Sequence, residues 1–369
     1  MNERRDNGML GTLRATLSPD IGLDLGTANT VVYERGAGVI VSEPSIVAFD
    51  ARSGEVVAVG TAAKEMEGRV PGRIRVVRPL RNGTISDFKA AHVLVGTLVD
   101  RALAARPRVA PRLIASVPGC ATDIECKAVE QAVRAAGARS TTYVPQAVAA
   151  AVGAGLDITR VGAQMVVDIG GGTTEIGILA QAGVIRLSSL QTGGNHLDEA
   201  IRRRLRSHLR FSVGPLTAER LKFELGYAGR APGRADAIAN GMDLDAAAPR
   251  TRGVPERLIG EAMADGIDRI VRGVVALLET APPDVGADLL ESGITLTGGG
   301  ALIPGLASEI GFRTNVPTIV APDPLTCVAR GAGEILGSPT LLERLRPHAD
   351  RLTRWYQSLR TGMRESYSP

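Results

Sequence analysis

One short pattern occurs twice in this chain, and it constrains the fold more than any other feature. Residues 21–33 have the sequence IGLDLGTANTVVY, and residues 165–179 have the sequence MVVDIGGGTTEIGIL. In each copy an apolar run reaches an aspartate, a glycine turn follows, and a second apolar run begins after hydroxyl residues, which predicts a β-hairpin. Asp24 and Asp168 are about one domain length apart, so we predict an internal duplication with one hairpin in each of two lobes.

The composition is that of a globular protein with two domains. The chain has 369 residues, of which 44% are apolar and 22% are charged, so it can bury two cores. The net charge of +4 and the aromatic content of 3% argue against a surface that binds nucleic acid. Cys120, Cys126 and Cys327 have no paired spacing, which predicts neither a disulfide framework nor a zinc site. Without a long apolar run or a secretory signal, we expect a cytoplasmic protein.

Helical periodicity follows the hairpins in both halves of the chain. Apolar residues recur at helical spacing over 123–136 and over 256–280, and Pro282 and Pro283 are expected to end the second helix. Strands and helices therefore alternate, which predicts an α/β architecture with helices covering the sheets. Residues 229–255 are rich in Gly, Ala, Pro and Arg without a sustained period, so we expect an irregular segment or a small subdomain there.

The two glycine turns carry the residue types that a phosphate group requires. No P-loop sequence is present, but glycines let backbone N–H groups approach a phosphate closely. Carboxylates hold Mg²⁺ through its water shell, and we predict Asp24 and Asp168 for that role. A plain tight turn with an aspartate cap is the alternative for either hairpin taken alone. The predicted phosphate-binding residues are Gly26, Thr27, Ala28, Asn29, Gly170, Gly171, Gly172, Thr173 and Thr174.

A third glycine-rich segment lies near the C-terminal end of the second half. Residues 293–306 have the sequence GITLTGGGALIPGL, which predicts a strand, a triple glycine and the start of a helix with Pro304 near its first turn. Gly298, Gly299, Gly300 and Ala301 would let a flat base or an α-phosphate lie against the backbone. The alternative is a turn between strand and helix that packs closely on a neighbouring element.

These three segments resemble the phosphate 1, phosphate 2 and adenosine motifs of the actin, sugar-kinase and DnaK-type ATPase superfamily. Four further segments resemble the MreB/Mbl family of bacterial actin homologues. They are EPSIV from Glu43, AVGTAAKEMEGRVPGRI from Ala58, RPLRNGTISDF from Arg78 and DPLTCVARG from Asp323. The similarity extends over about residues 20–338.

The resemblance implies an α/β, actin-like ATPase fold with two duplicated lobes. Each lobe would have a large ribonuclease-H-like subdomain and a smaller rim subdomain. The expected bounds are 20–44, 85–155 and 335–362 for subdomain IA, 45–84 for IB, 156–190 and 257–334 for IIA, and 191–256 for IIB, with flexible ends at 1–19 and 363–369.

The resemblance also implies ligands and partners. ATP and ADP would bind with Mg²⁺, many copies would assemble into filaments, and proteins of cell-wall synthesis and morphogenesis would be partners. An ordinary surface pair is the alternative for two of the residues that the resemblance adds to the nucleotide site, Glu219 and Lys222. The full set of added residues is Gly193, Gly194, Asn195, Glu219 and Lys222.

Peripheral contact with a membrane is a further expectation from the family. An apolar face near the N-terminus, flanked by arginines, would make this contact with the membrane. The alternative is that these residues form a disordered leader. The residues of that face are Met9, Leu10, Leu13 and Leu17.

The chain departs from the family at Gln146, where MreB proteins carry a glutamate that activates the attacking water. An amide can orient a water molecule but cannot accept its proton, so we expect Gln146 and Asp168 to support slow hydrolysis that assembly accelerates. An amide that caps a helix start is the alternative. Two other functions stay open: a nucleotide-binding regulator that does not polymerise, and a small-molecule kinase of the same superfamily.

Overall fold

The computed structural model describes residues 19–104, 110–119 and 123–345. The strands are β1 (Asp20–Leu25), β2 (Asn29–Glu34), β3 (Gly38–Pro44), β4 (Val47–Asp50), β5 (Val56–Val59), β6 (Ile74–Val77), β7 (Leu80–Arg81), β8 (Thr84–Ile85), β9 (Arg112–Val117), β10 (Ser140–Pro145), β11 (Gln164–Ile169), β12 (Thr174–Ala180), β13 (Gly183–Leu190), β14 (Phe211–Ser212), β15 (Ala237–Asp243), β16 (Ala248–Val254), β17 (Ile294–Thr297) and β18 (Thr318–Val320).

The helices alternate with these strands. They are α1 (Thr61–Met66), α2 (Phe88–Leu103), α3 (Asp123–Ala135), α4 (Gln146–Gly153), α5 (Gly194–His208), α6 (Pro215–Leu225), α7 (Glu256–Glu279), α8 (Pro283–Ser292), α9 (Leu306–Thr314) and α10 (Cys327–Gly337). A 3-10 turn spans Gly299–Leu302, and helical residues also run from 339 to 345.

Two five-stranded sheets with the same strand order form the centres of two lobes. The order is β10-β9-β1-β2-β3 in lobe I and β18-β17-β11-β12-β13 in lobe II. In each sheet the first strand pairs antiparallel with the strand that follows it and parallel with a strand from much later in the lobe. Both predicted hairpins and the predicted duplication are confirmed.

Helices cover the faces of both sheets. The α2 helix buries Leu94, Val95 and Leu98 completely in the core of lobe I. The α7 helix does the same in lobe II with Met263 and Ile270. Each such side chain contributes about 1.5–3 kcal/mol through burial, and together they fix the sheets against their helices. The predicted helices over 123–136 and 256–280 are confirmed as α3 and α7.

The lobes are joined where α4 crosses α10. The α4 helix starts at the end of β10 in lobe I and packs on β11 and β12 of lobe II. The α10 helix follows the last strand of lobe II and packs on β1 and β9 of lobe I. A Cβ atom at Gly153 would overlap the Cys327 carbonyl oxygen, and one at Gly331 would overlap the Ala149 carbonyl oxygen. The backbones of the two helices therefore touch where they cross.

Small sheets form the rims of the lobes. In lobe I, β5-β4-β6 form a three-stranded sheet with α1 beside it, and in lobe II, β14-β15-β16 form another. The segment 229–255, expected to be irregular or a small subdomain, thus contains a β-hairpin. The sequence shows no sustained alternation there because the two strands bury few apolar side chains, among them Ala239 and Val254. The subdomain bounds given above stay predictions.

Pro304 lies near the start of a helix, as the sequence predicts. The chain after the triple glycine first makes the 3-10 turn, and α9 begins only at Leu306. Gly305 precedes that helix with φ of +83°, a left-handed conformation that glycine adopts without strain. Pro304 therefore lies before the helix and not in its first turn.

Several expectations concern residues outside the described ranges. These residues are the flexible ends apart from Pro19, the part of subdomain IA after residue 345, the thiol of Cys120, and the N-terminal apolar face of Met9, Leu10, Leu13 and Leu17. Within the described ranges, no helix has the length and apolar character needed to span a bilayer.

The helix crossing predicts a specific sensitivity to added volume. We expect Gly331→Ala to lower the free energy of unfolding by about 1–3 kcal/mol, because the new methyl group would meet the Ala149 backbone. The matched control is Gly96→Ala in α2, where a Cβ atom meets nothing within 4 Å and stability should rise by about 0.5–1 kcal/mol. Urea denaturation measures both variants, and equal effects would contradict the crossing.

Candidate functional site

A cleft of about 390 Å³ lies between the two lobes. Of the predicted site residues, all line it except Thr174, Gly193 and Ala301. Lobe I contributes Asp24, Gly26, Thr27, Ala28, Asn29 and Gln146. Lobe II contributes Asp168, Gly170, Gly171, Gly172, Thr173, Gly194, Asn195, Glu219, Lys222, Gly298, Gly299 and Gly300.

The turns of the two hairpins face each other across the cleft. A Cβ atom at Gly171 would lie 2.6 Å from the Cβ of Ala28, and one at Gly172 would lie 2.6 Å from the hydroxyl oxygen of Thr27. Real Cβ atoms do not approach that closely, so only glycine fits at these two positions. The lack of side chains leaves backbone groups of both lobes at the surface of one cleft, as close binding of an anion requires.

Each hairpin places one carboxylate beside the cleft, and a hydroxyl group holds it. The Ser116 hydroxyl donates to Asp24 Oδ1 at 3.2 Å, and the Thr297 hydroxyl donates to Asp168 Oδ1 at 2.8 Å. Ser116 and Thr297 occupy the same register position beside the two aspartates. The duplication therefore extends from the strand order to the hydrogen bonds of the site.

The environment of the two carboxyl groups opposes their negative charge. Burial, together with the charge of Asp168, raises the pKa of Asp24 to about 7, and burial raises the pKa of Asp168 to about 6. Burial also raises the pKa of a third carboxyl group, Glu175, to about 7. An acid whose pKa is higher in the folded than in the unfolded state costs stability as pH rises, here from about 4 towards 7.

A divalent cation would relieve this excess of negative charge. Among the described residues, neither Asp24 nor Asp168 forms an ion pair, and no group of three or more metal-ligating side chains surrounds them. Two carboxylates that face one cleft from opposite lobes fit Mg²⁺, which keeps several waters and uses one or two carboxylates. The residues present are therefore compatible with a water-bridged magnesium ion.

Gln146 is the first residue of α4 and its side chain is buried at the cleft. Its Nε2 donates to Asp168 Oδ2 at 3.0 Å. The amide makes no cap on its own helix, for which Pro145 is the residue before the first turn. The capping alternative is therefore wrong, and the amide group instead fixes the orientation of the Asp168 carboxylate.

Glu219 and Lys222 do not pair with each other on the surface of α6. The Lys64 ammonium lies 2.7 Å from Glu219 Oε2, and the Lys222 ammonium lies 2.9 Å from the Asp198 carboxylate. Because Lys64 belongs to α1 in lobe I, its ion pair spans the mouth of the cleft. Both side chains are more than a quarter exposed, so the pair contributes about 0–1 kcal/mol to lobe closure.

The triple glycine forms the other end of the cleft. A Cβ atom at Gly298 would lie 2.8 Å from Asp168 Oδ1, and one at Gly300 would overlap the Ile169 side chain. A Cβ atom at Gly299 would meet only Leu325 Cδ2, at 3.4 Å. With Leu302 and Leu325 beside it, this end of the cleft is apolar and fits a flat ring.

The three predicted residues that do not line the cleft lie behind it. Thr174 is fully buried and donates to the Thr192 carbonyl at 2.8 Å. Gly193 packs against the Gly170 carbonyl oxygen, which a Cβ atom would approach to 2.5 Å. Ala301 is buried below the triple glycine. These residues support the lining and do not form it.

Sequence reasoning missed several residues of the cleft, among them Lys64, Gly83, Pro118 and Phe223. Only Gly83 had a usable signal, because Asn-Gly between two short strands predicts a tight hairpin turn. The Gly83 N–H donates to the Thr27 hydroxyl at 3.2 Å, so the turn supports the first phosphate hairpin. Lys64 lies within the segment AVGTAAKEMEGRVPGRI and Phe223 follows Lys222 on α6, but neither segment carried a signal for these two side chains.

The comparisons with known proteins agree with this geometry. A family model described as MreB/Mbl protein matches residues 18–344. The cell shape-determining protein MreB of Escherichia coli (strain K12) is 39% identical over 333 residues, which are 89% of this chain and 96% of that protein. The cell shape-determining protein Mbl of Bacillus subtilis (strain 168) is 34% identical over 317 residues, which are 86% of this chain and 95% of that protein.

Solved structures match over similar lengths. MreB5 of Spiroplasma citri bound to ADP has a TM-score of 0.82 at 30% identity and covers 90% of this chain and 98% of its own. The MamK double helical filament has a TM-score of 0.73 at 22% identity, with coverage of 86% and 98%, and supports the fold alone. With its duplicated lobes, its facing glycine hairpins and these relatives, the chain has the actin-like fold and belongs to the MreB/Mbl family.

Proposed function

We propose that this chain binds ATP with Mg²⁺ between its lobes and assembles with further copies of itself into filaments that organise cell shape. The observation that carries the proposal is the meeting of two glycine hairpins, one from each lobe, at one cleft with Asp24 and Asp168 beside it. A ligand that contacts both hairpins would hold the lobes together. Nucleotide binding would then set the relative position of the lobes, and with it the surface offered to another copy.

Different residues of the cleft would bind different parts of the nucleotide. Backbone groups of residues 26–29 and 170–173 would bind the phosphates, and the apolar end at Gly299 and Leu325 would bind the base. Asp24 and Asp168 would hold Mg²⁺ through water, and the bound ion would neutralise phosphate charge. Thr297 and Gln146 keep the Asp168 carboxylate in place through their hydrogen bonds.

The relatives support both parts of the proposal. MreB5 of Spiroplasma citri has been solved with ADP and with AMPPNP, so a chain 30% identical to this one binds adenine nucleotides. The relatives from Escherichia coli and Bacillus subtilis are named cell shape-determining proteins. Proteins of cell-wall synthesis, a cytoplasmic location and peripheral contact with a membrane belong to the same proposal. They rest on the family alone.

Gly299→Val tests the proposal without disturbing the fold. The valine side chain would extend into the cleft beside Leu325, where no other atom lies within 4 Å of the new Cβ. We expect ATP affinity to fall by about tenfold or more and assembly in ATP and Mg²⁺ to be lost. Calorimetry measures the affinity and sedimentation measures the assembly.

The control for this experiment is Gly72→Val, because Gly72 lies outside the cleft and a Cβ atom there has no neighbour within 4 Å. That variant should bind ATP and sediment as the wild type does. Wild-type affinity and assembly in Gly299→Val would contradict the placement of the base and the link between nucleotide and assembly.

Substitutions of Gln146 test how the proposed hydrolysis works. Positioning supplies most of the acceleration in phosphoryl transfer, so an amide that orients water should support slow turnover. We expect Gln146→Ala to lose the rate increase on assembly while ATP affinity stays within about threefold. Gln146→Glu introduces a group that can accept a proton and should hold or raise turnover. The measurement is phosphate release above and below the assembly concentration.

Gln146 also favours one second candidate, a nucleotide-binding regulator that does not hydrolyse ATP. Its amide nitrogen is already committed to Asp168, and an amide cannot take the proton of the attacking water. Turnover at background in the wild type, with the same value in Gln146→Ala, would favour this regulator. Turnover that rises on assembly in the wild type and falls in Gln146→Ala would exclude it.

A further inference from the structure

The two lobes differ at one position beside their aspartates. Val31 lies opposite Asp24 in the register of lobe I, and Glu175 lies opposite Asp168 in the register of lobe II. Both side chains are buried, with 4% and 3% of their surface exposed. Burial of a valine stabilises the fold, whereas burial of a carboxylate lowers stability unless hydrogen bonds compensate for the lost water. Glu175 is thus an exception to the duplication, and its hydrogen bonds must compensate for its burial.

The hydrogen bonds of Glu175 reach both lobes. Oε1 accepts from the Ser189 hydroxyl at 2.7 Å, within the sheet of lobe II. Oε2 accepts from the Gly119 N–H at 2.9 Å, and Gly119 follows β9 of lobe I. The Thr173 hydroxyl is a third partner. One buried side chain thus connects the phosphate hairpin of lobe II to a loop of lobe I.

The loop that Glu175 holds is part of the cleft. Pro118, which precedes Gly119, lines the cleft, as does Thr173. A Cβ atom at Gly83 would lie 2.7 Å from Thr173 Cγ2 and 3.3 Å from Pro118 Cγ, so these three residues already pack together. The lobes therefore meet at the floor of the cleft, and the bond between Glu175 and Gly119 lies beside that contact.

The floor contact differs from the ion pair at the mouth of the cleft. The Lys64 and Glu219 side chains are more than a quarter exposed, so water and salt screen their attraction. Glu175 and Gly119 are buried, so their hydrogen bond depends on direction and on close approach of the lobes. The bond at the floor therefore tolerates a narrower range of separations and directions between its partners than the pair at the mouth.

We propose that Glu175 is a positioning residue that couples lobe closure to the phosphate hairpin through the N–H of Gly119. When the lobes close, the bond fixes Thr173 and the Pro118–Gly119 segment on opposite sides of the phosphates. When the lobes open, the bond breaks and both segments are released. The inference rests on the proposed nucleotide function, because closure is taken to be driven by ATP.

Three variants separate this bond from other effects of the side chain. Glu175→Val gives lobe II the residue of lobe I and removes the acceptor for Gly119. Glu175→Gln keeps it, since the amide oxygen can accept from Gly119 while the amide nitrogen donates to Ser189. Ser189→Ala is the matched control, because it removes the bond within lobe II and leaves the one between the lobes.

We expect a split between binding and turnover, meaning that phosphate release falls while ATP affinity is retained. In Glu175→Val, ATP affinity should stay within about threefold while phosphate release by the assembled protein falls about tenfold, as loss of positioning predicts. Glu175→Gln and Ser189→Ala should match the wild type. In a second measurement, AMPPNP should slow amide hydrogen exchange over 112–119 in the wild type and in those two variants, but not in Glu175→Val.

Each other outcome counts against the proposal. Wild-type turnover and AMPPNP-dependent protection in Glu175→Val would overturn it, and so would an equal loss in Glu175→Gln. If Glu175→Val is not folded at the assay temperature, Gly119→Pro removes the same bond from the donor side and must give the same split. A wild-type chain that binds no ATP would overturn the proposed function and this proposal together. ATP binding and turnover in the wild type, with no split in the variants, would overturn this proposal alone.

Discussion

The crossing of α4 and α10 is the contact on which the geometry of the site depends. Each helix follows the last strand of one lobe and packs on the sheet of the other, and the backbones touch at Gly153 and Gly331. No side chain separates them, so the crossing fixes the distance between the two sheets. Because Gln146 is the first residue of α4, the same crossing also sets where its amide meets Asp168.

The two aspartates show why duplicated lobes give a single site. Each is held by a hydroxyl residue at the same register position, and both sit beside one cleft where burial opposes their charge. Neither lobe alone forms the cleft, because each supplies one of the two facing hairpins and one of the two carboxylates. A bound cation would offset the cost of the two carboxylates, and a phosphate held by both hairpins would draw the lobes together.

Sequence reasoning found the parts of the site that a local pattern marks. The hairpins, the duplication and the glycine residues of the three glycine-rich segments followed from apolar runs and turn residues, whereas Gly194, Asn195, Glu219 and Lys222 came only from the family resemblance. The strands of segment 229–255 bury too little apolar surface to show a period, and no residue pattern marked the 3-10 turn that precedes α9. The ion pair of Lys64 with Glu219 and the hydrogen bond of Glu175 with Gly119 form only when the lobes meet, so no local pattern predicts them.

Two copies of one hairpin are proposed to make one binding site. Calorimetric titration of ATP in Mg²⁺ into the wild type, Asp24→Ala, Asp168→Ala and the double variant tests this most directly. We expect one nucleotide per chain, a loss of affinity in each single variant, and less than the sum of the two losses in the double variant. Two nucleotides per chain, or wild-type affinity in either single variant, would contradict it.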